Sequence, residues 1–166
     1  NGHLTAESSY QIKNNAYSFG CTFVEVEVDI PGCRAQVTDI LNVHDCGRLI
    51  NPALAEAQVH GGMSMAIGYA LSEKLLYDEK TGRPLNNNLL DYKLSTTMDH
   101  PDFRAAFVEN YEPTSAYGTK ALGEPPACSP APAIRNAILQ ATGVALNEIP
   151  MRPHLLFEKF SEAGLI

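Results

Sequence analysis

The sequence predicts an α+β fold, antiparallel strands with two to three helices. Three observations carry this expectation. Residues 19–29 and 34–43 alternate apolar with polar side chains on either side of Pro31-Gly32, the pattern of an antiparallel hairpin. Pro52 to Leu71 places apolar residues at helical intervals behind Asn51-Pro52, an N-cap followed by a residue preset for the first turn. Ser129 to Ala141 does the same with Ile134, Ala137, Ile138 and Ala141, and Gly143 then stops the helix.

Taken in order, residues 1–14 are polar and read as frayed or dependent on a neighbour, which leaves 15–166 as the folded part. In the first strand the apolar side switches from Phe19, Cys21 and Phe23 to Val24, Val26 and Val28, which suggests a bulge near Phe23-Val24. The second strand is expected to turn Ala35, Val37, Ile40, Leu41 and Val43 inward. In the long helix Leu54, Ala57, Val59, Met63, Ala66, Ile67, Ala70 and Leu71 form a broad apolar face. Ser72 to Tyr77 reads as a strand, Leu89, Leu90, Tyr92 and Leu94 as buried, and Phe103 to Glu109 as a further strand. Leu155, Leu156, Phe157 and Phe160 indicate a short final helix.

Composition narrows the function. A net charge of -7 and a pI of about 5.1 argue against nucleic acid and anionic membrane surfaces as partners. The longest apolar run, Met63 to Leu71, is broken by Ser64, Gly68 and Tyr69, well short of the roughly 18 residues a span needs. Cys21, Cys33, Cys46 and Cys128 form no CxxC pair, so neither a zinc site nor a disulfide framework is expected. Reduced, mostly buried thiols in a cytoplasmic protein are. The phosphate-binding, zinc-protease and nucleophile-elbow motifs are not in the sequence.

One stretch has residues suited to chemistry: Gly118-Thr119-Lys120-Ala121-Leu122-Gly123-Glu124-Pro125-Pro126. Two glycines bracket a run ending in a single carboxylate, and two prolines stiffen the turn after it. Pro125 disfavours the α region for the residue before it, so Glu124 is expected to be extended. The plainer alternative is a polar loop residue ahead of a helix, where acidic residues are common. The long helix also carries Gly61, Gly62 and Gly68, each costing up to about 1 kcal/mol relative to Ala. Either tight packing or a ligand lying along the helix would account for them. Gln58 stands one turn before the glycine pair.

Three stretches together resemble one family. They are Asp45-Cys46-Gly47-Arg48-Leu49-Ile50-Asn51-Pro52; Gln58-Val59-His60-Gly61-Gly62 leading to Gly68-Tyr69-Ala70-Leu71-Ser72-Glu73; and Gly118 to Pro126. In order and spacing they are similar to the C-terminal part of the molybdenum-binding subunit of the xanthine dehydrogenase and aldehyde oxidase family. The resemblance implies that the chain is part of a molybdenum-cofactor-binding domain and that most cofactor contacts lie upstream. It implies Glu124 as the general base for a metal-activated, water-derived nucleophile that attacks an electron-poor carbon. It implies Gln58, Gly61 and Gly123 as cofactor-binding, molybdopterin as cofactor, and no protein ligand to the metal. Lys120 and Arg48 are expected to be structural or interdomain residues. Expected partners are the remainder of the subunit, iron–sulfur and FAD subunits or domains, and a small purine or aldehyde substrate. The fragment alone is expected to bind no cofactor, to be inactive, and to expose an apolar patch through which copies could associate. A xanthine dehydrogenase-like hydroxylase of purines or related N-heterocycles is the leading reading. An aldehyde oxidoreductase and a non-catalytic docking domain are the alternatives.

Overall fold

The computed structural model describes residues 2–11 and 14–166, so the expected frayed segment 1–14 lies partly outside them. Strand β1 (Phe19–Asp29) pairs antiparallel with β2 (Arg34–Asp45), from Phe19 opposite Asp45 to Asp29 opposite Arg34. This is the expected hairpin. A third strand, β3 (Phe103–Phe107), joins the far side of β2 in parallel, making the sheet mixed in the order β1-β2-β3. Parallel pairing requires a crossover. Helix α1 (Pro52–Leu71) and the loop after it supply one.

The irregularity in the hairpin lies elsewhere than expected. The register slips between Glu25 and Val26, which pair with Asp39 and Val37, so Thr38 is the extra residue and the bulge is on β2. One extra residue inverts the facing of everything beyond it. Val37 is buried before the bulge; Ile40, Asn42 and His44 are buried after it. Leu41 and Val43, expected inward, therefore lie half-buried on the outer face. On β1, Thr22, Val24, Val26 and Val28 face inward without a break, while Phe19, Cys21 and Phe23 are exposed on the other side. The apparent switch in β1 arose because both faces carry apolar residues.

Asn51 caps α1, its Oδ1 accepting the Leu54 N–H at 3.1 Å. Val59, Met63, Ala66, Ile67 and Ala70 are buried, but Leu54 and Ala57 face out. Helix α3 (Pro130–Thr142) buries Ile134 and Ile138 and ends at Gly143 in the left-handed region, φ 73°. Helix α4 (Pro153–Glu162) buries Leu155, Leu156 and Phe160 and leaves Phe157 exposed. Val37 and Ile40 meet Val59, Met63, Ile67, Ile134, Ile138, Leu156 and Phe160 in one core beneath the sheet.

Three further expectations fail. Ser72 to Tyr77 forms no strand; Leu75, Leu76 and Tyr77 are exposed, and Tyr77 makes only an isolated bridge to Pro84. A strand needs a continuous ladder, and this segment meets only Arg83 to Leu85, through Leu85 N–H to the Leu76 carbonyl at 2.8 Å and Asp78 N–H to the Arg83 carbonyl at 2.9 Å. Leu89, Leu90 and Leu94 are exposed, at 77%, 78% and 52%; Asn88 Oδ1 accepts the Leu90 and Asp91 N–H groups, closing a local turn that holds Leu89 and Leu90 out from the core. Only half of the cysteines are buried: Cys33 and Cys46 are, Cys21 and Cys128 are not, and all four are free thiols.

Candidate active site

The Gly118–Pro126 stretch is held against the Asp45–Pro52 stretch by a seam of backbone bonds. Gly47 and Thr119 form an antiparallel bridge, Lys120 N–H donates to the Cys46 carbonyl at 2.7 Å, and Arg48 N–H donates to the Gly118 carbonyl at 2.9 Å. The approach is so close that a Cβ on Gly47 would collide with the Gly118 carbonyl oxygen, and Gly47 is itself left-handed at φ 69°. Glycine meets both conditions without cost.

An ion pair seals this seam. Lys120 Nζ lies 2.6 Å from Asp45 Oδ2, with the two side chains 3% and 12% exposed. The Gly47 N–H and the Asn110 amide also donate to the Asp45 carboxylate, at 3.0 and 3.3 Å. Burial pushes the Asp45 carboxyl up, yet the Lys120 hydrogen bond, the Gly47 and Asn110 donors and the Lys120 charge together carry it below its ordinary value. Lys120 is thus structural, as expected. Arg48 contributes its backbone and exposes its side chain.

Glu124 opens a four-residue helix, α2 (Pro125–Cys128). It is helical, φ -85° and ψ -36°, rather than extended. The bias imposed by a following proline is a preference, and here the Glu124 carbonyl accepts the Ala127 N–H at 2.9 Å, closing a turn that requires the helical conformation. The Glu124 carboxylate makes no hydrogen bond or ion pair among the described residues. It lines a cavity of about 630 Å³ with Ala16, Tyr17, Gly20, Gly123 and Cys128.

Gln58, on α1, donates from Nε2 to the Gly123 carbonyl at 3.1 Å, tying the long helix to the residue just before the carboxylate. Gln58 is exposed, and its Oε1 and second N–H make no hydrogen bond among the described residues. The three helix glycines separate by role. A Cβ on Gly62 would lie 2.5 Å from Pro126 Cβ, and one on Gly68 would strike the Glu73 carboxylate. Those two serve internal packing. Gly61 is exposed with nothing within 4 Å of the Cβ position. Gln58, Gly123 and Glu124 are therefore brought together, and Gly61 opens to free space one turn along the same helix.

Sequence reasoning missed the residues beneath the turn. Asn42 and His44 face inward from β2, where Asn42 is 0% and His44 1% exposed. Asn42 Nδ2 donates to the Pro126 carbonyl at 3.1 Å, and Tyr69 OH donates to the Ala127 carbonyl at 2.5 Å. The ring of His44 fits only because Gly20 lies opposite; a Cβ there would sit 2.6 Å from His44 Cε1. Neither ring nitrogen of His44 has a hydrogen-bond partner among the described residues. Burial lowers its pKa, and the nearby Phe19 backbone opposes that only in part. The available signal was Asn42 and His44 at alternate positions beside Ile40, Leu41 and Val43, but without the bulge their facing was ambiguous.

Comparison with known proteins shows the family. The family model described as the molybdopterin cofactor-binding domain matches residues 1–101. The chain is 55% identical over 165 residues to the xanthine dehydrogenase molybdenum-binding subunit of Escherichia coli O157:H7, covering 99% of this chain and 22% of that protein. It is 32% identical to the aldehyde oxidoreductase molybdenum-binding subunit PaoC of Escherichia coli K12, covering 97% of this chain and 23% of that one. Its structure superposes on a crystal structure of a Cu,Mo-CO dehydrogenase with a TM-score of 0.84 at 28% identity, over 94% of this chain and 20% of that one. The chain thus spans about a fifth of the length of the proteins it matches.

Proposed function

The chain belongs to the molybdopterin cofactor-binding domain family, and from that premise we propose that it supplies the general base and part of the cofactor cradle of a xanthine dehydrogenase-like molybdenum hydroxylase. The complete protein would hydroxylate a purine or related N-heterocycle with oxygen from water. Iron–sulfur and FAD subunits or domains would carry the electrons away.

The carrying observation is the Gln58–Gly123 hydrogen bond, which joins the open face of α1 to an unpartnered carboxylate one residue away. The residues fit the cofactor. A Cβ at Gly61 would enter free space, so a flat group can lie along that helix face. Gln58 retains a donor and an acceptor, the pair a pterin edge requires. The bound cofactor supplies the two-electron redox chemistry and a metal centre that acidifies water. This chain's residues position and move a proton. Gly123 and Gln58 hold the backbone before Glu124, and the Glu124 carboxylate, with no internal partner, accepts the proton of the attacking oxygen.

The identity of 55% to a xanthine dehydrogenase subunit against 32% to an aldehyde oxidoreductase subunit favours the N-heterocycle over the aldehyde. The test is Glu124→Gln in the complete holoenzyme. Turnover of xanthine should fall by about 10²–10⁴-fold, the usual worth of a general base, with molybdenum content unchanged. Turnover within a few-fold of wild type would remove Glu124 from the mechanism.

A further inference from the structure

Helix α2 has four residues, too few to be stable alone, because helix nucleation is costly and a single turn recovers little of it. Yet it carries Glu124 at its first turn, so its position must come from outside. A chain of side chains, buried at Asn42 and half-buried at Thr22 and Ser129, reaches both of its ends. Asn42 Nδ2 donates to the Pro126 carbonyl at 3.1 Å, and Asn42 Oδ1 accepts the Thr22 hydroxyl at 3.1 Å. Thr22 Oγ1 in turn lies 2.6 Å from Ser129 Oγ. Proton counting gives the chain a direction. The one hydroxyl hydrogen of Thr22 goes to Asn42, so Ser129 must donate to Thr22. Asn42 cannot reverse its amide, because Oδ1 would then face the Pro126 carbonyl oxygen. The relay therefore runs Ser129 to Thr22 to Asn42 to Pro126, each link fixed in one direction.

We infer that Ser129, Thr22 and Asn42 are positioning residues for the carboxylate: a one-way hydrogen-bond relay from strands β1 and β2 that clamps α2 at both ends and sets where Glu124 stands. This deepens the general-base reading and rests on it for its catalytic consequence, while the clamp itself does not depend on it. Asn42, the inner link of the relay, has no exposed surface, so its bonds face no competition from water, while Thr22 and Ser129 are half-buried. Gly62, pressed against Pro126, and Tyr69, donating to the Ala127 carbonyl, hold the same helix from the α1 side. Between them the two walls leave α2 little freedom, and displacements of about 1 Å at a catalytic group can cost on the order of 10²-fold.

The test is Thr22→Val in the complete holoenzyme, which keeps the shape, suits a strand and removes the central hydroxyl. Two readouts are taken. Amide hydrogen exchange at Ala127 and Cys128 should quicken about tenfold or more. The kcat for xanthine should fall by a similar factor, with KM within about twofold and molybdenum content at the wild-type level. Ser129→Ala, at a half-buried position, should show the same pattern more weakly and serves if Thr22→Val folds poorly. Unchanged exchange at Ala127 and Cys128 would overturn the clamp. Faster exchange with unchanged kcat, or a kcat loss matched by molybdenum loss, would overturn the positioning role. Glu124→Gln measured in parallel separates this from the base assignment, since the exchange readout stands whatever that variant does.

Discussion

Two regions spend the same kinds of polar side chain in opposite ways. In the seam between Asp45–Pro52 and Gly118–Pro126, polar groups reach across the chain: Asp45 pairs with Lys120, 75 residues on, and Asn42 with Pro126, 84 residues on. In the stretch from Asp78 to Asp99 most of them close tight local turns. Asp78 accepts from Lys80 and Thr81, Asn88 from Leu90 and Asp91, and Asp99 from Thr96. The first region buries its ion pair and Asn42 and holds a carboxylate in place. The second leaves Leu85, Leu89, Leu90, Leu94 and Met98 exposed. Local turns shape a loop without requiring it to pack, whereas long-range bonds between buried groups cannot form unless the whole fold is in place. Asn86 marks the border: buried in the second region, it bonds Leu76 N–H and the Lys74 carbonyl.

The largest break of this contrast should come at the ion pair. Lys120→Met leaves Asp45 buried and unpaired, so the chain should lose about 3–5 kcal/mol in urea unfolding. A loss below about 1 kcal/mol would mean that the seam's backbone bonds suffice without the pair.

Acidification should strike the same region next. His44 binds its proton more weakly folded than unfolded, so its contribution is complete above about pH 6.5 and is lost as pH falls through the folded value. Asp45 is also held below its ordinary range, so its share is present above about pH 4 and disappears on further acidification. Stability should therefore decline from pH 7 towards 5 with a slope of up to about 1.4 kcal/mol per pH unit for the one histidine proton. His44→Leu should flatten that limb. If the wild-type slope survives in His44→Leu, another group is responsible.

The smallest effect belongs to the loop. Leu90→Ser should change the stability of the chain by no more than about 0.5 kcal/mol, read by the same urea titration. A loss of several kcal/mol would mean that Leu90 is packed in solution and the contrast between the regions is overdrawn.

Much of this organisation is legible in the sequence. Asn51-Pro52 marks the start of α1 and Gly143 the end of α3 because capping chemistry is local. Gly118 to Pro126 stands out because two glycines and two prolines frame a single carboxylate, a pattern that a plain loop ahead of a helix also fits. The facing of β2 is not legible, since one unpaired residue, Thr38, reverses every side chain beyond it and leaves no mark in composition. The exposed leucines of the loop mislead for a related reason: an apolar residue signals burial only if some element is there to cover it.

Amino-acid order alone settles which residue types stand ready: a carboxylate between Gly123 and Pro125, a glutamine before a glycine pair, an N-cap, a helix stop. These depend on short-range sterics and hydrogen bonding, which few intervening residues can alter. Tertiary packing alone leaves Gly61 open while Gly62 meets Pro126, and brings Asn42 and Thr22 under α2. Each of those depends on where a distant segment comes to rest, and the common core decides that.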